Sequence, residues 1–453
     1  MEMDATYNLI VIGSGAAGRK AATEAQQYGW KTAVVESGPL GGTCPNRGCD
    51  PKRILSGITE TYDDAHRLKD YGIQGALSLD WNQMKKFKDT FTVPVPAQVE
   101  HSFREIGMEV YKGTAIFIDG STIEVGDCVL KADHFLIATG SLPAPLPFEG
   151  TEHLLTSDDF FEQEYLPDTI VFVGGGPVSF ELAHMCRRMG RNVSIFHDAA
   201  HILEEYDIEM TNKLVELSRN IGINVHTNAQ VTNITRTDRE GFIVEAEKDG
   251  LTHKFNTDLV IHGGGRVPNI QSLHLERAGI DPTDKGIPVD ANFKSASDSS
   301  IYAAGDAADS GLPPLTPAAS LGASRALSHM LEDKDHSAFD PVIPSVVFTY
   351  PKLAKTGLSQ QEAEEQGVPY EILSKEITPF FSYQRTRSTG AFIKVLTSPG
   401  TDEILGAHLL SDHADHLINL FTVAIKKNMT KQELSQILWA YPSEESDIPS
   451  FFQ

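Results

Sequence analysis

Two of the four cysteines in this 453-residue chain share one short stretch, GGTCPNRGCDPKR (41–53), as the C-x4-C pair Cys44 and Cys49. Thiols this close serve one of three chemistries: a structural disulfide, part of a metal site, or a redox pair. A metal site needs further Cys or His ligands at recognisable spacing, and none follows nearby. A redox pair needs an attacking thiolate and a second thiol that resolves the mixed disulfide, and one short turn supplies both. Whether a structural disulfide is available depends on the compartment. The start, MEMDATYNLIVIGSG, is acidic, with no basic segment followed by an apolar run, so no secretory leader is expected. The default is a cytoplasmic, reducing compartment, where a close cysteine pair is catalytic or metal-binding.

Composition narrows the partners. The formal net charge is -24, with 40% hydrophobic and 22% charged residues. Nucleic acid and anionic membrane both call for clustered Lys and Arg, so neither is expected as a partner. No apolar run approaches the ~18 residues of a membrane-spanning helix. Cys128 and Cys186 lie in apolar surroundings and read as inert packing residues. In SDHADH (411–416), His413 and His416 are i,i+3 on an expected helix. With no third convergent ligand they read as solvated or interfacial, and no metal is expected.

The elements that must hold the cysteine pair are marked by glycines. An apolar strand at 8–12 runs into Gly13-Ser-Gly15-Ala-Ala-Gly18, an Ala-rich helix follows to about 27, and a second strand at 31–35 ends at Glu36. This is the dinucleotide fingerprint in its required context. The glycines let the backbone approach a pyrophosphate, the helix N-terminus offers N–H donors, and the acid reaches ribose hydroxyls. A second such unit starts at Thr169, with a strand at 170–173, the loop Gly174-Gly-Gly176, Ser179 in the third glycine's place, and a strand at 193–196. Two such units imply two dinucleotide cofactors. Apolar strands also run into FLIATGS (135–141) and LVIHGGGRVPN (259–269), and IYAAGDAAD (301–309) contains Gly305-Asp306. The Pro-rich 141–150 and the segment 332–344 read as interdomain crossings. Strand signals at 345–348, 391–396 and 404–409 and helices at 414–427 and 431–438 complete the chain.

The order of these parts resembles the disulfide-reducing flavoenzymes, the class I pyridine nucleotide-disulfide oxidoreductases: glutathione reductase, dihydrolipoyl dehydrogenase and mercuric reductase. The resemblance spans nearly the whole chain. It implies an α/β architecture: two Rossmann-like dinucleotide-binding domains and a C-terminal α+β dimerisation domain. FAD would be held by 1–145 with 268–338, NAD(P) by 146–267, and a homodimer formed through 339–453. Gly13, Gly15, Gly18 and Glu36 match FAD pyrophosphate and ribose positions, with Gly42 and Thr43 in the G-G-T-C turn. Thr139 and Gly140 match the A-T-G turn at FAD, Asp306 the acid at the ribityl chain, and Thr316 a position beside the flavin ring. Gly174, Gly176, His197, Asp198 and Gly265 fall to the nicotinamide coenzyme. The resemblance makes Cys44 the interchange thiol and Cys49 the thiol against the flavin. Lys52 matches the lysine near the flavin's reactive nitrogen, and Glu181 its carboxylate partner. A positive charge there stabilises reduced flavin and lowers a nearby thiol's pKa.

Three positions depart from the pattern. The family usually ends with His-Pro-[Thr/Ser] and a Glu five residues after the His, the imidazole acting as acid and base at the partner subunit's thiol. Here Tyr441 takes the His position and Ser446 the Glu position, with Glu444 and Glu445 close by. A Tyr titrates near ~10, so Tyr441 can donate a proton but is a poor base at neutral pH. The chain ends SFFQ, without the C-terminal cysteines mercuric reductases need. Pro177 replaces a common aromatic gate, and Asp198 stands where NADPH enzymes place Arg, with His197 at the Glu position of NADH enzymes. A carboxylate repels a 2′-phosphate, so NADH is favoured over NADPH. The expected activity is passage of hydride from NAD(P)H through FAD to Cys44–Cys49 and on to a small-molecule disulfide, as in glutathione reductase. The alternatives are dihydrolipoyl dehydrogenase, a reductase of quinone, hypothiocyanite or metal ion, and a redox-sensing binding protein.

Overall fold

The computed structural model describes residues 5–238, 241–296, 300–337 and 341–453. The chain divides into two compact units, 1–51 with 87–144 and 265–340, and 52–86 with 145–264 and 341–453. The second unit thus groups the expected nucleotide-binding segment with the C-terminal segment. The expected boundary at 338/339, and part of the crossing at 332–344, lie outside the described residues.

In the first unit a central parallel sheet runs in the order Glu109–Lys112, Thr32–Glu36, Ala5–Ile12, Cys128–Ile137, with Ile301–Ala303 pairing the last of these. The antiparallel strands Thr122–Val125 and Ala115–Asp119 extend the edge. Leu9, Ile10, Val11, Val34, Phe135 and Leu136 are fully buried, as expected of a parallel sheet covered on both faces. Helix Ala16–Gln27 turns a face of small residues, Ala17, Gly18, Ala21, Ala22 and Ala25, into the core. It packs on helix Thr316–Glu332, whose own buried face is Ala318, Gly322, Ala323, Ala326 and Leu327. Small residues on both faces let the helices approach closely, so a larger side chain there would overpack by ~1–3 kcal/mol.

The second unit contains the parallel sheet Ile223–His226, Asn192–Phe196, Thr169–Val173, Leu259–His262. Beside it lies the antiparallel sheet Gln230–Arg236, Phe242–Lys248, Leu251–Thr257. Its C-terminal part is an antiparallel sheet in the order Ser345–Val347, Lys352–Gly357, Ile404–Ser411, Phe392–Thr397, Glu371–Glu376. Helix Ala414–Lys426 covers this sheet with Leu417, Ile418, Phe421 and Ala424. Among the described residues no helix is long and apolar enough to cross a membrane.

Candidate active site

In the first unit the expected FAD residues collect at the carboxyl ends of adjacent parallel strands, the usual place for a ligand in such a sheet. Strand Ala5–Ile12 ends at Gly13, strand Thr32–Glu36 at Glu36, strand Cys128–Ile137 just before Thr139, and strand Ile301–Ala303 just before Asp306. Gly18 has no room for a side chain: a Cβ there would lie 1.9 Å from the Gly13 carbonyl oxygen. Gly42 has φ +72 and a Cβ on it would lie 2.5 Å from the Gly15 Cα, so the cysteine turn presses directly on the glycine loop. Ser14, absent from the sequence reading, ties this corner together. Its N–H and hydroxyl donate to Glu36 Oε2 at 2.9 and 2.7 Å, and its hydroxyl accepts the Gly41 N–H at 2.9 Å. Glu36 Oε1 accepts the Gly38 N–H at 2.8 Å.

These residues fit FAD. Helix Ala16–Gln27 has no acidic residue in its first turn and no side-chain cap, leaving its N–H donors for an anion. Thr139 Oγ1 is buried with no hydrogen-bond partner in the protein. Asp306 accepts a 2.7 Å bond from the Ser141 hydroxyl, which in turn accepts from Arg266 Nε at 2.9 Å. Ser141 and Arg266 were missed as site residues, although Arg266 stands inside the GGGRVPN motif.

Helix Thr43–Arg47 carries Cys44, and helix Cys49–Arg67 opens at Cys49. Cys44 is half-buried and Cys49 exposed. The Cys44 thiol is held well above its ordinary pKa, first by its hydrogen bond with Cys49, then by burial and the charge of Cys49. A bond from the Thr316 side chain works in the opposite direction. Thr316 is the first residue of the 17-residue helix Thr316–Glu332, whose first turn holds no acid. The pair therefore shares one proton more readily than it loses two, which is how a dithiol acts as attacking and resolving sulfur in turn. Cys186 is buried and its thiol is pushed up by desolvation; Cys128 is half-buried.

In the second unit Lys52 Nζ lies 2.7 Å from Glu181 Oε2, with side-chain exposures of 20% and 3%. Glu181 Oε1 also accepts the Phe348 N–H at 2.8 Å, and Lys52 lies 5.3 Å from the Phe348 ring centroid. Removing one partner of so buried a pair typically costs 3–5 kcal/mol. Glu181 is thus fixed by helix Pro177–Arg188 on one side and the start of the C-terminal sheet on the other.

The nucleotide loop of this unit is as tight as the first. A Cβ on Gly174 would lie 2.2 Å from the Gly263 carbonyl oxygen, and Gly176 caps the 12-residue helix Pro177–Arg188, whose first turn has no acid. Gly265, expected at the coenzyme, falls in the first unit; it has φ +98 and open space around its Cα. Ser179 is fully buried, its hydroxyl under Gly263. His197 Nδ1 accepts the Gly175 N–H at 3.2 Å, and Nε2 faces the His201 carbonyl oxygen at 2.8 Å. That pair of contacts selects the tautomer with the proton on Nε2. Asp198 and Glu204, both exposed, are the acids within 4 Å of this ring. These residues fit a dinucleotide, and the acids beside His197 are Asp198 and Glu204.

Tyr441 is 82% exposed. His413 and His416 have ring centroids 6.1 Å apart, and no group of three or more His, Cys, Asp or Glu among the described residues has metal-binding geometry. His413 instead faces Glu444, a pairing the sequence reading did not contain.

Residues 7–323 match the family described as "Pyridine nucleotide-disulphide oxidoreductase", and 343–449 match its dimerisation domain. The chain is 30% identical to glutathione reductase of Schizosaccharomyces pombe over 98% of both chains. It is 30% identical to dihydrolipoyl dehydrogenase of Bacillus subtilis over 97% of this chain and 96% of that one. Against mercuric reductase of Lysinibacillus sphaericus the identity is 30%, over 96% of this chain and 80% of the relative. In fold it is similar to the HOCl-induced flavoprotein disulfide reductase RclA of Escherichia coli, with TM-score 0.88, 22% identity, and 98% and 99% of the two chains covered. The chain therefore belongs to the class I pyridine nucleotide-disulfide oxidoreductases, flavoprotein disulfide reductases that use FAD and NAD(P)H.

Proposed function

We propose that this chain is a homodimeric NADH-dependent reductase of a small disulfide, working through Cys44 and Cys49. The observation that carries this reading is the hydrogen-bonded dithiol with Thr316 set against Cys44. Bound FAD would relay the two electrons of a nicotinamide hydride to the Cys44–Cys49 pair. The Cys44 thiolate attacks one sulfur of the substrate and expels a thiolate. Cys49 then attacks Cys44, re-forming the protein disulfide and releasing the second thiolate. Gly13, Gly15, Gly18, Glu36, Gly42, Thr43, Thr139, Gly140 and Asp306 hold FAD. Gly174, Gly176, His197, Asp198 and Gly265 hold the coenzyme, and Lys52–Glu181 places a fixed positive charge for the flavin. The acids around His197 support NADH over NADPH.

A second reading keeps the same electron path but takes an acceptor whose leaving group needs no proton. The exposed Tyr441 in place of an imidazole favours it. The test is steady-state oxidation of NADH and of NADPH with glutathione disulfide, wild type beside Cys44→Ser. The expected result is faster turnover with NADH, lost in Cys44→Ser while NADH still bleaches the flavin. Undiminished disulfide reduction by Cys44→Ser would sink the thiol mechanism.

A further inference from the structure

The first unit holds a chain of aromatic rings that the thiol chemistry does not use. Tyr302, in the middle of strand Ile301–Ala303, is 3% exposed, and its hydroxyl lies 2.7 Å from Nδ1 of His329 on helix Thr316–Glu332. His329 Nε2 lies 3.5 Å from Oδ1 of Asp335, which accepts a 3.0 Å bond from Asn292 Nδ2. An Nε2 facing a carboxylate carries the ring proton, so Nδ1 is the acceptor and the phenol the donor. Exposure rises along this line, from the buried phenol to 16% for the imidazole and 88% for the carboxylate side chain. On its other side Tyr302 meets His134, with ring centroids 6.2 Å apart and planes at 68°. His134 in turn stacks on Trp30, with 5.3 Å between centroids and 6° between planes, and Trp30 is partly buried.

The strand register gives this chain of rings a direction. Tyr302 pairs with Leu136 and His134 with Leu9, and residues two apart on a strand share a face. Tyr302 therefore stands one pleat nearer the carboxyl ends of the strands than His134 does. Those ends carry the residues expected at FAD, and Asp306 follows Tyr302 by four residues, a span of at most ~14 Å. Burial, then Asp290 and Asp333, raise the phenol to about 12, so at neutral pH it keeps its proton. Loss of an electron makes a phenolic proton strongly acidic, and His329 Nδ1 stands 2.7 Å away to take it.

We propose that Tyr302, His329 and Trp30 form a relay that carries single oxidising equivalents from the flavin end of the first unit to its surface. The proposal rests on Asp306 facing the flavin and is independent of which acceptor the thiols reduce. The steps balance. An oxyl radical, RO•, at the flavin end takes one electron from Tyr302 and one proton from water, giving ROH. The phenolic proton moves to His329 Nδ1, leaving a phenoxyl radical beside an imidazolium that faces Asp335. Trp30 then gives an electron to the phenoxyl across the His134 ring, the proton returns from His329, and the indole loses its own proton to water. A thiol, RSH, restores Trp30 by giving a hydrogen atom. In sum, RO• and RSH become ROH and RS•.

The experiment uses the FAD-loaded protein, oxidised and without coenzyme. A light pulse absorbed by the flavin makes it a one-electron oxidant, and transient absorption follows the protein radicals that form. A tryptophanyl radical has its own visible band. Of the three tryptophans Trp30 is the one in the first unit, and Trp81 and Trp439 belong to the second. Wild type is set beside Tyr302→Phe, Trp30→Phe and His329→Gln. Phenylalanine keeps an aromatic ring at 30 and 302, and glutamine can accept a hydrogen bond but cannot hold the proton. The expected wild-type result is a tryptophanyl band, absent from Trp30→Phe and Tyr302→Phe. Trp30→Phe should show a long-lived tyrosyl band in its place. His329→Gln should lower the tryptophanyl yield by about 10², the lower end for loss of a positioned proton acceptor. Wild type without a tryptophanyl band would overturn the proposal. So would an undiminished band in Tyr302→Phe, which routes the electron past Tyr302, or in Trp30→Phe, which puts the radical on another tryptophan. An unchanged yield in His329→Gln would overturn the part given to the imidazole. The radical bands do not depend on disulfide turnover, so this relay and the disulfide reading fail separately.

Discussion

Glu444 keeps a proton first because burial desolvates its carboxylate; Asp412, Glu445 and Asp447 raise its affinity further, and Arg385 opposes them. The consequence for stability follows by linkage. The native carboxyl titrates at about 8 and the free one at 4.5, so between these values the native state binds more protons than the unfolded one. Stability from this group is full below the unfolded value and is lost as pH rises through about 8. At face value that separation corresponds to roughly 5 kcal/mol, and water entry and relaxation reduce it to a few. Glu444→Gln should therefore match wild type in urea unfolding near pH 5 and exceed it by a few kcal/mol near pH 9. Parallel stability curves for the two proteins across that interval would disprove a buried, protonated Glu444. At this scale the sequence shows what is local. Cys44 and Cys49 are legible because one turn carries both. His413 and Glu444 are not, because two helices separate them in the chain, and each reads alone as a surface residue. Lys52 and Glu181 stand between these cases: resemblance pairs them, and nothing in their own surroundings in the sequence does.

Among the elements, the glycine loops are the most legible because their chemistry is negative: side chains are absent where two backbones must touch. Strands expected at 8–12, 170–173 and 193–196 appear as Ala5–Ile12, Thr169–Val173 and Asn192–Phe196, longer by residues of which Thr6, Thr169 and Asn192 pair but are not apolar. The antiparallel sheet of Gln230–Arg236, Phe242–Lys248 and Leu251–Thr257 was not read at all. Its last strand, LTHKFNT, has only Thr257 fully buried, so it presents little apolar alternation. Helices Trp81–Thr92 and Val95–Glu105 also went unread, since a Thr-Val-Pro-Val-Pro run interrupts their pattern. The first glycine loop yields a prediction of its own. A methyl group at Gly18 would lie 1.9 Å from the Gly13 carbonyl oxygen, so the helix must move off the loop that the pyrophosphate needs. Gly18→Ala is expected to be purified largely without FAD, with the flavin-to-protein absorbance ratio at least tenfold below wild type. A variant with a full flavin complement would show that this contact does not govern FAD binding.

For the whole molecule, the question is what the C-terminal sheet and helix are for, since the dithiol Cys44 and Cys49 lies in another segment. Residues 343–449 match the family's dimerisation domain. Within that stretch Val423, Ile437, Leu438 and Tyr441 are exposed, Leu438 by 98% and Tyr441 by 82%. On a chain of net charge -24, repulsion between two copies opposes self-association through these exposed side chains. An apolar contact must outweigh that repulsion, and it should do so more easily as salt screens the charge. Wild-type protein is therefore expected to sediment at twice 49.5 kDa, about 99 kDa, at micromolar concentration, with tighter association at higher salt. Leu438→Asp adds a negative charge where an apolar contact is needed and should weaken association at least tenfold. If the C-terminal segment serves a thiol of the other subunit, disulfide turnover falls with the dimer fraction while NADH still reduces the flavin of the monomer. Sedimentation as a 49.5 kDa monomer with undiminished disulfide turnover would mean that each chain is complete on its own. The exposed apolar residues would then need another partner to explain them.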